Sequence, residues 1–153
     1  MIHALTYMLL AAALYGDLRE RRIPNILTFT GMGLGLMMQL AFHGWAGLAS
    51  SLLGLALGFL LLFPLFALGK FGGGDVKLLA AIGALRGLHF VWRASVLGLV
   101  MGGVLALGFV IYHREFGYVA MGFAHGGYRT QRTYPYSPAI ALGVLFADLG
   151  WLL

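Results

Sequence analysis

The chain holds only three aspartates and two glutamates in 153 residues, and two of the aspartates stand where chemistry could follow. Asp17 ends the first apolar run and opens the basic stretch Asp17-Leu18-Arg19-Glu20-Arg21-Arg22-Ile23-Pro24-Asn25. Asp75 ends the glycine run Gly72-Gly73-Gly74 and opens another apolar run, Val76-Lys77-Leu78-Leu79. A carboxylate at membrane depth is costly and is a functional candidate by default. Two carboxylates in one site hold a single proton between them, because like charges in contact do not both ionise easily. The ionised member then takes a proton from a bound water, and the water attacks a scissile carbonyl. The protonated member hydrogen-bonds the carbonyl oxygen and later helps to protonate the leaving amine. This is the chemistry of an aspartyl protease, and it calls for no metal and no organic cofactor. The pair titrates as a unit, so the sequence assigns the proton to neither residue.

Each candidate also has a plainer reading. Glycines before an acid let the backbone bend and let a substrate strand approach. On the tetrapeptide alone, Asp75 is equally the N-cap of the helix that follows. Asp17 alone is an interfacial acid balancing Arg19, Arg21 and Arg22. Asp148 falls toward the far end of the last apolar run and reads as an interfacial or interhelical polar contact. Glu20 and Glu115 read as solvated loop charges. Lys77, one turn inside its helix, either pairs with an acid or snorkels to the interface. The chain has no cysteine, and its five histidines form no HxxxH or HExxH spacing, so no metal centre is expected.

The elements that must position these acids are hydrophobic helices. The chain is 61% hydrophobic and 10% charged, against about a quarter charged in a soluble domain. With a mean hydropathy of +0.90 and 24 glycines, it reads as an all-α, polytopic membrane protein. Apolar runs predict six transmembrane helices at about 2–17, 25–42, 45–68, 75–92, 94–112 and 137–153, one bundle occupying 1–153 as a single domain. Pro24 suits the first turn of the second helix, and Pro64 predicts a kink in the third. Glycine pairs four apart, Gly31/Gly35, Gly54/Gly58, Gly83/Gly87 and Gly98/Gly102, predict close helix packing. The start of the chain lacks a signal-peptide pattern, so a retained first helix is expected. Eight of the ten basic residues fall in or beside the first, third and fifth connections. The positive-inside rule makes that face cytoplasmic and puts both termini outside. Parity alone then brings Asp17 and Asp75 to the cytoplasmic face. The pI near 9.9 therefore records orientation and not a nucleic-acid partner.

With these residues in view, the chain resembles the type IV prepilin peptidases, GxGD-type aspartyl proteases of the bacterial inner membrane. Three segments carry the resemblance: Asp17-Leu18-Arg19 through Arg22-Ile23-Pro24-Asn25, then Gly72-Gly73-Gly74-Asp75-Val76-Lys77-Leu78, and Pro135-Tyr136-Ser137-Pro138-Ala139-Ile140-Ala141. The resemblance implies a six-helix bundle with Asp17 and Asp75 as catalytic pair. Gly72, Gly73, Gly74, Lys77, Arg22, Pro24 and Asn25 would then bind substrate or support the loops. It implies a prepilin or pseudopilin substrate whose basic leader stays cytoplasmic and is cut after a glycine. Pilus assembly machinery and the lipid bilayer are the further partners it implies. Without cysteines and without a large cytoplasmic insert, the chain resembles the short, peptidase-only form found with Flp-type, tight-adherence pili, for which no methyltransferase activity is expected. An acidic residue just after the cleavage site would be drawn to Lys77 or a nearby arginine.

Two rivals remain at this stage. One is a non-catalytic transporter or secretion-machine scaffold, whose acids carry protons or pair with arginines. The other is a presenilin-like intramembrane protease. There the first aspartate sits in a YD motif, whereas Tyr15-Gly16-Asp17 lacks that adjacency.

Overall fold

The computed structural model describes residues 1–20, 22–68, 72–112 and 137–150, and among them every element is helical. In chain order these are α1 (Ile2–Glu20), α2 (Asn25–Ala67), α3 (Gly73–Arg86), α4 (Leu88–Tyr112) and α5 (Ser137–Leu149). Arg21, Lys70, the expected connection from His113 to Tyr134, and the expected helix end at 151–153 lie outside the described residues.

Leu18, Arg19 and Glu20, all good helix formers, carry α1 past the expected end at 17, so Asp17 sits within the last turns of a helix. The chain then folds back against α1. A Cβ on Gly16 would stand 3.2 Å from the Arg22 carbonyl oxygen and 3.3 Å from Pro24 Cδ. Pro24 caps α2 in an extended conformation (φ −59°, ψ 130°), as its locked ring allows.

α2 covers both the second and third expected helices. Gly44 (φ 63°, ψ −150°) breaks it into two arms, at the position where the apolar pattern breaks. A Cβ there would meet nothing within 4 Å, so glycine is required by the torsion angle and not by space. The kink expected at Pro64 does not take that form. Pro64 keeps helical torsions, and α2 runs three residues further before stopping. Its missing N–H falls in the last turn, where little helix is left to distort.

The arms form a hairpin clasping α3. Gly31 and Gly35 on the first arm face Ala81 and Ala84, and Gly54 and Gly58 on the second face Gly83 and Leu79, in the opposite sense. At Gly35 an added Cβ would stand 2.7 Å from the Ala84 carbonyl carbon, so backbones touch where side chains would otherwise separate them. Gln39 Nε2 donates to the Leu85 carbonyl at 2.8 Å, and Ser51 Oγ donates to the Ala84 carbonyl. The last turn of α3 would otherwise leave these acceptors unpaired.

The sequence pattern places the next break near 93, whereas the structure breaks at Gly87 (φ 80°). Its N–H closes α3 onto the Gly83 carbonyl at 2.8 Å. Positive φ at a helix end favours glycine, and no apolar count reveals it. α3 is consequently short, with its residues from Asp75 to Leu85 buried apart from Lys77. A helix buried on all sides is the core of its fold. α4 and α5 lie antiparallel beside it: a Cβ on Gly143 would stand 2.6 Å from Gly98 Cα.

The exterior is apolar. Met37 and Leu53 are 70% and 55% exposed, and Phe29, Phe42, Trp92 and Val104 are likewise outside. So large an exposed apolar surface marks contact with lipid or another apolar partner. Two stretches, Asn25–Ala67 and Leu88–Leu105, are long and apolar enough to cross a membrane.

Candidate active site

Among the described residues, the buried residues include only two acids, Asp17 (8% exposed) and Asp75 (7%). They come from different helices and lie within electrostatic range of each other. Asp17 is presented near the end of α1, where Ser137 Oγ, from the first residue of α5, donates to its Oδ2 at 2.5 Å. Asp75 is presented by the first turn of α3, its own N–H donating to the Gly72 carbonyl at 3.2 Å. Its Oδ1 is buried and has no hydrogen-bond partner among the described residues. A buried carboxylate oxygen without a donor is rare and asks for an explanation.

The glycines before Asp75 are occupied by near neighbours. Gly73 and Gly74 belong to the first turn of α3 and not to a loop. A Cβ on Gly74 would stand 3.0 Å from Ile23 Cβ, one on Gly73 3.3 Å from the Phe66 ring, and one on Gly72 3.3 Å from Asp75 Oδ2. The run lets the chain between α1 and α2 press onto the start of α3. All three glycines remain partly accessible.

Lys77 and Asn25 meet: Lys77 Nζ donates to Asn25 Oδ1 at 2.9 Å, with the ammonium 5.4 Å from the centre of the Phe29 ring. This contact fastens the basic stretch to the glycine motif beside the acids. Arg22 and Pro24 are exposed and reach Gly16 with carbonyl and ring. They shape the turn, and no contact brings them to the carboxylates. Sequence reasoning gave Ser137 no role of its own, although it lay in the third quoted segment. Nothing in a Tyr-Ser-Pro sequence reveals a hydroxyl directed at a residue 120 positions away.

Asp148 stands at the other end of these helices. It forms a two-pronged ion pair with Arg86, accepts from Tyr7 Oη at 2.6 Å, and lies 3.8 Å from His3 Nδ1. The Arg86 guanidinium sits 3.8 Å from the centre of the Phe90 ring. It is an interhelical polar contact joining α1, α3 and α5. Among the described residues, no three His, Cys, Asp or Glu side chains gather to hold a metal ion.

Fold and site together define an all-helical protein with an apolar exterior and a pair of buried acids at one end of its core. The sequence matches the type IV leader peptidase family over residues 4–123, and the chain belongs to that family. It is similar to the prepilin leader peptidase/N-methyltransferase of Pseudomonas putida, 29% identical over 97% of this chain and 46% of that protein. The protein of the same name from Bacillus subtilis (strain 168) is 32% identical over 65% of this chain and 36% of its own length. The chain thus spans less than half the length of these curated relatives. No solved structure matches it significantly.

Proposed function

We propose that this chain is a membrane aspartyl endopeptidase that removes the basic leader from type IV prepilins or pseudopilins, with Asp17 and Asp75 as its catalytic pair. The observation that carries the reading is the pairing of two buried carboxylates from separate helices, one with an oxygen lacking any described donor. In the reaction that oxygen meets water or the scissile carbonyl. One carboxylate withdraws a proton as water attacks the carbonyl carbon, and the other gives a proton to the departing amine.

The cut peptide bond must leave its helix first, since a helical carbonyl is shielded by its own hydrogen bond. The partly accessible glycines at 72–74 are the place where such an opened strand can approach Asp75 most closely. The apolar exterior supports a six-crossing bundle made of α1, the two arms of α2, α3, α4 and α5, as one domain over 1–153 in the bacterial inner membrane. The basic residues between α1 and α2 support a cytoplasmic site with both termini outside. An Flp-type, tight-adherence prepilin is the substrate proposed.

The test is cleavage of a co-expressed Flp-type prepilin by wild type, Asp17→Asn, Asp75→Asn and Asp148→Asn, with membrane levels checked by blot. The first two substitutions should abolish the size shift, and Asp148→Asn should keep it. Cleavage by all four, or by none across a panel of prepilins, would move a transporter or scaffold ahead.

A further inference from the structure

We propose that Ser137 is a positioning residue for Asp17, holding that carboxylate in its working orientation through a donated hydrogen bond. The proposal rests on the peptidase reading above and gives a role to the third motif segment. Ser137 is fully buried, at 0% exposure, and its hydroxyl donates to Asp17 Oδ2. A buried hydroxyl donating to a buried carboxyl oxygen is costly to remove, because the acceptor is then left unpaired. With Oδ2 committed, Oδ1 is the oxygen of Asp17 left to act on water.

The fold holds that hydroxyl in place. At the opposite end of α5, Asp148 is tied to Arg86 of α3 and Tyr7 of α1, the two helices that carry the acids. Along its length α5 is pressed onto α4, where Gly143 faces Gly98 without intervening side chains. The helix therefore cannot slide or turn freely, and Ser137 stays opposite Asp17. Asp75 has no described side-chain donor, and its Oδ1 is buried without a described partner. The two acids are thus unequal: one is braced by a side chain from a third helix, and the other keeps one oxygen unengaged.

The test compares kcat and KM of purified wild type, Ser137→Ala, Ser137→Thr and Val144→Ala on a prepilin substrate, with thermal stability measured alongside. Val144 is fully buried on the same helix, seven residues along from Ser137, so it controls for loosened packing. Ser137→Ala should lower kcat roughly fivefold to hundredfold, the cost of leaving a buried acceptor unpaired, with KM unchanged. Ser137→Thr, which keeps the hydroxyl, should recover most of that loss. Val144→Ala should lower stability while keeping kcat. Wild-type kcat in Ser137→Ala overturns the proposal, and so does an equal loss in Val144→Ala. If Ser137→Thr does not accumulate, the comparison of the two alanine variants decides alone. Failure of wild type to cleave any prepilin would count instead against the peptidase reading itself.

Discussion

Replacing Asp148 by alanine separates the architecture of the bundle from its chemistry. The side chains of Arg86 and Asp148 are 8% and 13% exposed, so the pair is nearly out of solvent. Removing one member of a buried pair costs roughly 3–5 kcal/mol, because the other is left charged and unpartnered. The Phe90 face beside Arg86 and the small residual exposure shelter the stranded guanidinium in part. About 3 kcal/mol is therefore the expected loss. For a chain of this size each kcal/mol moves the melting temperature by about 2–4 °C, so a fall of about 6–12 °C follows. The apparent midpoint is compared at one fixed scan rate, which holds any irreversible loss equal between variants. Cleavage per folded molecule at low temperature should stay close to wild type, since Asp148 lies eleven residues along α5 from Ser137 and the packing of Gly143 on Gly98 still holds the helix in register. The double substitution Arg86→Leu/Asp148→Leu removes both charges and should regain much of the lost stability. An Asp148→Ala variant that melts like wild type, or that folds normally and does not cleave, would refute this role for the pair.

Other consequences are simpler. Gly54→Ala would set a Cβ against the Gly83 carbonyl oxygen, which is backbone and cannot yield, so a loss of roughly 1–3 kcal/mol is expected in the same melting assay. Gly33→Ala, with nothing within 4 Å, should be neutral or slightly stabilising. Lys77→Ala removes one exposed hydrogen bond to Asn25 and should change stability by less than about 1 kcal/mol. The same variant should slow cleavage of a prepilin with an acidic residue just after the cut more than that of a neutral one. Equal rates would remove Lys77 from substrate recognition. Mass spectrometry of the processed pilin should find an unmethylated N-terminus, and a methyl group there would restore the second activity in the relatives' name.

Helix type, and the placement of Asp17 and Asp75 near helix ends, were legible because charge is scarce and apolar runs are long. The break at Gly44 was legible too, since His43-Gly44 interrupts two runs with a residue free to take positive φ. The break at Gly87 was hidden. The residues from 76 to 112 are apolar almost throughout, and the composition does not distinguish a glycine that packs, such as Gly83, from one that turns the chain. The same ambiguity led to a loop reading of Gly73 and Gly74, which lie inside α3. Ser137 and the Arg86–Asp148 pair depend on contacts across 120 and 62 positions, which local pattern does not encode.

The shortness of α3 bears on lipid as well as protein. Fourteen residues rise only about 21 Å, whereas the hydrocarbon layer of a bilayer is about 30 Å thick. Its ends carry Asp75 and Arg86, which cannot be drawn far into acyl chains, so the core helix falls about 9 Å short of a full crossing. The shortfall is met by recessing these groups beneath the headgroups, with water following them, or by pinching the bilayer around the bundle. α3 is enclosed by its neighbours, so the first route leaves the bilayer at full thickness and only the second thins it. With a pinched bilayer, and on the proposed reading, a pilin helix of ordinary length would arrive with its end overhanging that rim, lifted toward water and toward the acids. Lengthening the acyl chains of a reconstituted membrane should then slow cleavage without any change in the protein, and an unchanged rate would point to recessed helix ends instead.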